Sequence, residues 1–108
     1  MTKGEKTLEK LEILHRIYSQ AGYSSDIVER TLDKLIAHEI AIAQKEAASL
    51  QAELQTFEAQ YQMSSEDFYR RFHLGEMGDK VDFVEWSAFY KMRESVQKRL
   101  EILRSQSA

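Results

Sequence analysis

The chain has 108 residues, enough for one small domain, and its 43% hydrophobic residues are sufficient for a folded core. It has no proline and no cysteine, which favours long helices and excludes disulfides, thiolate nucleophiles and cysteine-based zinc sites. The formal net charge of −3 gives no general attraction for nucleic acid, and no apolar run reaches the roughly 20 residues of a membrane span. We therefore expect a cytoplasmic, all-α protein forming a single domain over residues 1–108.

The first predicted helix covers residues 7–20. Leu8, Leu11, His15 and Tyr18 recur at steps of three and four, which is the spacing of one helical face. Thr7 is a candidate N-cap, and a turn at Gly22 leads into the next helix.

The second predicted helix covers residues 26–62 and has no internal breaker. At 1.5 Å per residue it would be roughly 55 Å long, whereas a compact domain of this size has a diameter of about 34 Å. Part of its apolar surface therefore needs cover from another molecule, unless the helix bends or breaks.

An apolar seam with alternating spacings of four and three runs along this helix, as in a coiled coil. The alternative is an ordinary amphipathic helix packed within its own bundle. The small residues in the middle of the seam would let a neighbouring backbone approach closely. The seam consists of Ile36, Ile40, Ala43, Ala47, Leu50, Leu54, Phe57 and Tyr61.

Three carboxylates, Glu39, Glu46 and Glu53, lie seven residues apart on one flank of the seam. We call this row the acidic edge. The opposite flank carries Gln44, Gln51 and Glu58, so a parallel pair of identical helices would offer no positive charge to it. A partner helix bearing Lys or Arg would complement the acidic edge better.

A short helix over 66–74 and a final helix over 83–105 complete the predicted elements. Nine of the eleven aromatic residues lie between Phe57 and Tyr90, so this region is the predicted core. Asp82 and Glu85 have the spacing of a capping box at the start of the final helix. We expect this helix to fold back along the long helix as an antiparallel hairpin, with Arg99 near Glu39.

Arg93 lies in the middle of the apolar face of the final helix. A buried guanidinium needs a carboxylate or several acceptors. One interpretation is an internal salt bridge to Glu53 or Glu58, with the stem packed on Trp86. The other is that Arg93 anchors an interface.

The residues indicate no catalytic, cofactor or metal site. The pair His38-Glu39 begins like a zinc-protease motif, but Ile42 stands where the second histidine is required. Carboxylates near the Gly75–Gly78 loop lack the alternating spacing of a calcium-binding loop. We therefore predict a protein that is not an enzyme.

Nucleic-acid binding is also disfavoured. The basic residues of the final helix are interrupted by Glu94 and Glu101, which is typical of a solvated helix face. The long helix starts with Asp26 and Glu29, where a DNA-recognition helix would meet phosphates.

One stretch resembles a known group. Tyr61, Met63, Ser64, Glu66 and Phe68 form a turn motif, followed by Leu74-Gly75-Glu76-Met77-Gly78-Asp79 and then Asp82-Phe83-Val84-Glu85-Trp86. Over roughly residues 50–90 this resembles small helical proteins encoded beside toxin genes in prokaryotic toxin–antitoxin modules. The resemblance implies a non-catalytic role in which the chain neutralises a partner by wrapping it.

The sequence thus predicts a protein–protein interaction module whose partner is another chain such as a toxin. A self-associating homodimer is the alternative, and a small nucleic-acid-binding regulator is a third. The predicted interface comprises Ile36, Ile40, Ala43, Ala47, Leu50, Leu54, Glu39, Glu46 and Arg93.

Overall fold

A computed structural model describes residues 2–105 of the chain. Four helices follow one another: α1 (Lys3–Tyr18), α2 (Asp26–Tyr61), α3 (Ser65–His73) and α4 (Val81–Arg104). Within residues 2–105 no strand occurs. The predicted all-α class and the long central helix are confirmed. The ends of the predicted domain, Met1 and residues 106–108, lie outside the described residues.

The start of α1 differs from the prediction. Thr2, not Thr7, caps the helix: its side chain accepts the backbone N–H of Glu5 at 3.2 Å, and the Glu5 carboxylate accepts the N–H of Thr2. This reciprocal pair is a capping box. The hydroxyl of Thr7 instead donates to the carbonyl of Lys3 inside the helix.

The start of α4 also differs, since the helix begins at Val81 and has no side-chain cap. The predicted cap residue, Asp82, faces α2, where it accepts a hydrogen bond from the hydroxyl of Tyr61. By contrast α3 has a side-chain cap, because the Ser64 side chain accepts the N–H of Asp67 at 3.1 Å. Gly75, with φ of 76°, follows the end of α3.

The chain divides into two compact units, Met1–Lys34 and Leu35–Ala108. In the N-terminal unit, α1 meets the first turns of α2 through few contacts. The Tyr18 hydroxyl donates to the carbonyl of Ser25 at 3.3 Å, and the Tyr18 and Tyr23 rings meet edge to face. None of the 16 residues of α1 is buried. The contacts of this unit are therefore concentrated around the turn.

In the C-terminal unit, Trp86 is fully buried where α2, α3 and α4 meet. Its ring stacks on Phe68 of α3 with centroids 3.9 Å apart and on Phe57 of α2 at 5.5 Å. Its indole N–H donates to the Ser65 hydroxyl at 2.9 Å. The backbone N–H of Ser65 in turn donates to the Glu58 carboxylate at 2.9 Å. One side chain thus fixes three helices by both stacking and hydrogen bonding.

A second buried cluster, formed by Ala43, Leu50, Val96 and Leu100, joins α2 to α4. The contact pairs run in opposite directions along the two helices. Phe57 meets Trp86, Gln51 meets Arg93, and Glu46 meets Arg99.

Leu54 gives a direct test of this packing because its side chain is fully buried in the cluster around Trp86. We expect Leu54→Ala to lower the free energy of unfolding by about 3 kcal/mol, since it removes buried methyl groups and leaves a cavity. Ile102→Ala, at a position 72% exposed, should change it by less than about 0.5 kcal/mol. Urea titration followed by circular dichroism measures both. Equal losses for the two variants would contradict the assigned core.

Candidate interaction surface

The seam that the sequence assigned to a partner chain lies largely inside the protein. Ala43, Leu50 and Leu54 are buried, and Ile40 and Ala47 pack against the same clusters. Residues of α4 cover these side chains, and Val96 and Leu100 do so in the cluster that contains Ala43 and Leu50. A partner chain therefore cannot reach this part of the seam unless α4 moves away. Ile36, the first seam residue, is partly exposed.

The seam residues from Ile40 to Leu54 are therefore packed against other residues of the same chain. The 3.5-residue period gave the correct buried face of α2. It did not identify the molecule that covers that face, because a helix of the same chain and a helix of another chain require the same spacing.

The acidic edge lies outside this core. Glu39, Glu46 and Glu53 are all exposed. Arg99 Nη1 of α4 reaches Glu46 Oε2 at 3.3 Å, one heptad away from the predicted neighbour Glu39. Both side chains of this pair are close to half exposed, so the bond contributes little to stability. The acidic edge is thus available at the surface of the C-terminal unit.

Arg93 connects three helices of the C-terminal unit. Its side chain is only 13% exposed and donates to Glu66 of α3 at 2.8 Å and to Gln51 of α2 at 3.1 Å. The guanidinium also lies over the Tyr90 ring, 5.1 Å from its centroid. The internal interpretation of Arg93 is therefore the one observed. Its partners are Gln51 and Glu66, whereas the sequence suggested Glu53 or Glu58.

This polar cluster shifts the acid–base behaviour of its members. A backbone hydrogen bond lowers the pKa of Glu66, and the hydrogen bond from Arg93 lowers it further. Burial raises the pKa of the Tyr90 hydroxyl, with a smaller contribution from the nearby Glu94. These shifts favour an ionised Glu66 and a neutral Tyr90, although Arg93 acts against the raised pKa of Tyr90.

The N-terminal unit exposes an apolar surface that the sequence analysis missed. Leu8 is 66% exposed and Leu11 is 51% exposed, and Leu14, Ile17 and Ile27 are also exposed. An open groove of about 280 Å³ runs between α1 and the start of α2. Its lining is almost entirely apolar and consists of Leu11, Leu14, His15, Tyr18, Val28 and Leu32. The apolar stripe of α1 was predicted correctly, but the helical period does not show how little of that stripe is covered.

The groups considered for catalysis or metal binding stay apart. Within residues 2–105, no three His, Asp or Glu side chains come close enough to hold a metal ion. Asp82, one of the carboxylates near the Gly75–Gly78 loop, accepts hydrogen bonds from Tyr61 and Gln60. Among the described helices, none is both long and apolar enough to cross a membrane.

No protein-family model, curated protein or solved structure matches this chain. The resemblance to helical proteins of toxin–antitoxin modules therefore stays a prediction.

Removing the Arg93 side chain tests its role inside the protein. We expect Arg93→Leu to lower the free energy of unfolding by about 1–3 kcal/mol, because Gln51 and Glu66 lose their partner in a partly dry site. Arg70→Leu is the matched control, since the Arg70 side chain is 62% exposed in its pair with Asp67 and should cost less than about 1 kcal/mol. Denaturant unfolding distinguishes the two. If Arg93→Leu lowered the free energy of unfolding no more than Arg70→Leu, the role of Arg93 in holding the three helices together would be contradicted.

The lowered pKa of Glu66 predicts a pH dependence of stability. Because the pKa is lower in the folded chain than its ordinary value of 4.5, ionised Glu66 stabilises the fold above that value. The contribution is lost as the pH falls through the folded pKa. Carboxyl titration by NMR should place Glu66 below 4.5 in the wild type. In Arg93→Leu the pKa should rise but remain lowered, since the backbone hydrogen bond is the larger cause. A Glu66 that titrates at 4.5 or above in the wild type would refute this account.

Proposed function

We propose that this protein is a non-catalytic protein–protein interaction module, and that its N-terminal unit supplies a binding surface for another protein chain. The observation that carries the proposal is that α1 contains no buried residue although it presents a stripe of large apolar side chains. A surface of this kind is typical of a chain that becomes covered on binding.

The energetics of α1 support the same proposal. An isolated helix of about 16 residues is marginal in water, so most helices depend on tertiary packing of their apolar face. Here the described contacts that hold α1 are concentrated at Tyr18 and the turn. Cover over Leu8, Leu11 and Leu14 would supply the missing packing, since each buried aliphatic side chain contributes about 1.5–3 kcal/mol.

We further propose that the role is antitoxin-like, in which the chain neutralises a partner by wrapping it in the reducing cytoplasm. The turn motif from Tyr61 to Phe68 and the absence of cysteine support this role. The C-terminal unit would act as the rigid part, with α2 and α4 as an antiparallel hairpin. The opposite direction of their contact pairs, Phe57 with Trp86 and Glu46 with Arg99, supports that arrangement.

The test is co-expression with the product of the adjacent gene. We expect the two chains to co-purify and the growth inhibition caused by that product to be relieved. The double variant Leu11→Glu/Leu14→Glu places two charges in the groove of the N-terminal unit. It should weaken the complex by about 100-fold or more, because carboxylates cannot be buried there without a partner.

Ile102→Glu is the matched control, since it introduces the same charge at an exposed apolar position of α4 and should leave the complex intact. Circular dichroism must show equal helicity for both variants, so that a loss of binding is not a loss of fold. Binding that survives the groove substitutions would sink the proposed surface. A wild-type chain that is dimeric by light scattering, and monomeric with Leu11→Glu/Leu14→Glu, would assign this surface to a second copy instead.

A further inference from the structure

A second surface lies in the C-terminal unit, along one side of α2 and α4. An open groove of about 250 Å³ is lined by Glu46, Ser49 and Leu50 of α2 and by Met92 of α4. Met92 is 51% exposed although it lies beside the helix pair that forms the core. The two helices thus leave apolar side-chain surface open at this place.

One residue that lines the groove, Ser49, belongs to a row of α2 residues that has the spacing of a helix-binding seam. Leu35, Ile42 and Ser49 are seven residues apart, and the two apolar members are exposed. Residues at this spacing share one face of a helix. Single exposed apolar residues are normal on protein surfaces. A row with a seven-residue period beside a groove is the pattern that a second helix would match.

The acidic edge borders this row along its whole length. Glu39, Glu46 and Glu53 each follow a member of the row by four residues, so each carboxylate lies beside it on the helix surface. Successive carboxylates are about 10.5 Å apart along the axis. Among the ion pairs of residues 2–105, Arg99 reaches Glu46, and no pair involves Glu39 or Glu53. Within the described residues, two of the three carboxylates that border the row, Glu39 and Glu53, thus make no ion pair, and the third, Glu46, lines the groove and pairs with Arg99.

We propose that this groove binds an amphipathic helix of a partner protein that carries Lys or Arg at seven-residue intervals beside an apolar stripe. The excess of acidic residues supports a cationic partner, since residues 35–108 contain twelve Asp and Glu against nine Lys and Arg. The N-terminal unit is balanced, with six of each. The inference concerns a different surface from the proposed one and does not depend on it.

A second copy of this chain fits the groove less well. Two antiparallel copies of α2 would place one acidic edge against the other. Two parallel copies would place it against the other flank of the row, which consists of His38, Lys45 and Ala52 and so offers one lysine to three carboxylates. The same carboxylates disfavour nucleic-acid binding, because phosphates require a positive surface.

The probe is a synthetic amphipathic helix of 21 residues with leucine in its apolar stripe and lysine on one flank at every seventh position. The matched peptide carries glutamate at the same flank positions. Fluorescence anisotropy with the full chain should show the lysine peptide binding at least about tenfold more tightly than the glutamate peptide, with an affinity that falls as salt is added.

The double variant Glu39→Lys/Glu53→Lys should weaken binding of the lysine peptide by about tenfold and strengthen binding of the glutamate peptide. Glu76→Lys/Glu85→Lys changes the net charge equally at exposed positions away from the groove, and should have little effect on either peptide. Equal effects of the two double variants, or no difference between the peptides, would overturn the proposal. A wild-type chain that dimerises by light scattering, and loses its dimer with Glu39→Lys/Glu53→Lys, would assign the groove to a second copy and also overturn it.

Discussion

The C-terminal unit depends on the burial of Trp86. A fully buried indole must place its N–H on an acceptor, and the Ser65 hydroxyl is that acceptor. Ser65 is in turn positioned by the Glu58 carboxylate at the end of α2. The stacking of Trp86 on Phe68 and Phe57 works only if α3 and α2 stay in this register. A single side chain thus determines where the short helix lies and where α4 starts its contact with α2.

This constraint decides what the seam of α2 is used for. Once Trp86 fixes the start of α4 against the end of α2, the following turns of α4 lie along the seam, and Val96 and Leu100 cover Ala43 and Leu50. The small side chain of Ala43 then serves close packing within the chain. A partner of the kind proposed would have to use surfaces that this packing leaves open, and the two open surfaces differ in chemistry.

The sequence was sufficient for the four helices and their buried faces, because helix period and aromatic clustering are visible in the sequence itself. Two of the predicted caps, Thr7 and Asp82, were wrong. The sequence correctly placed Phe57 and Trp86 in the core, but it assigned Leu54 to an interface with another chain, although that side chain is fully buried in the core. It was not sufficient to predict the hydrogen-bond partners of individual side chains. Arg93 bonds to Gln51 and Glu66, which requires the position of α3 relative to α2 and α4. The apolar stripe of α1 also does not show that Leu8 and Leu11 remain exposed. The helical period identifies which side chains share a face, but not whether another element packs on that face.

The two open surfaces would select partners by different forces. In the N-terminal unit acidic and basic residues are equal in number, so binding over Leu8 and Leu11 would depend on apolar burial, which ordinary salt does not screen. Binding at the acidic edge would depend on exposed charges, whose attraction weakens as the Debye length falls from about 10 Å at 0.1 M to 3 Å at 1 M salt. A partner held by both surfaces would therefore lose only part of its affinity in high salt. One held only at the groove beside the acidic edge would lose a larger part, so salt dependence reports which surface a given partner uses.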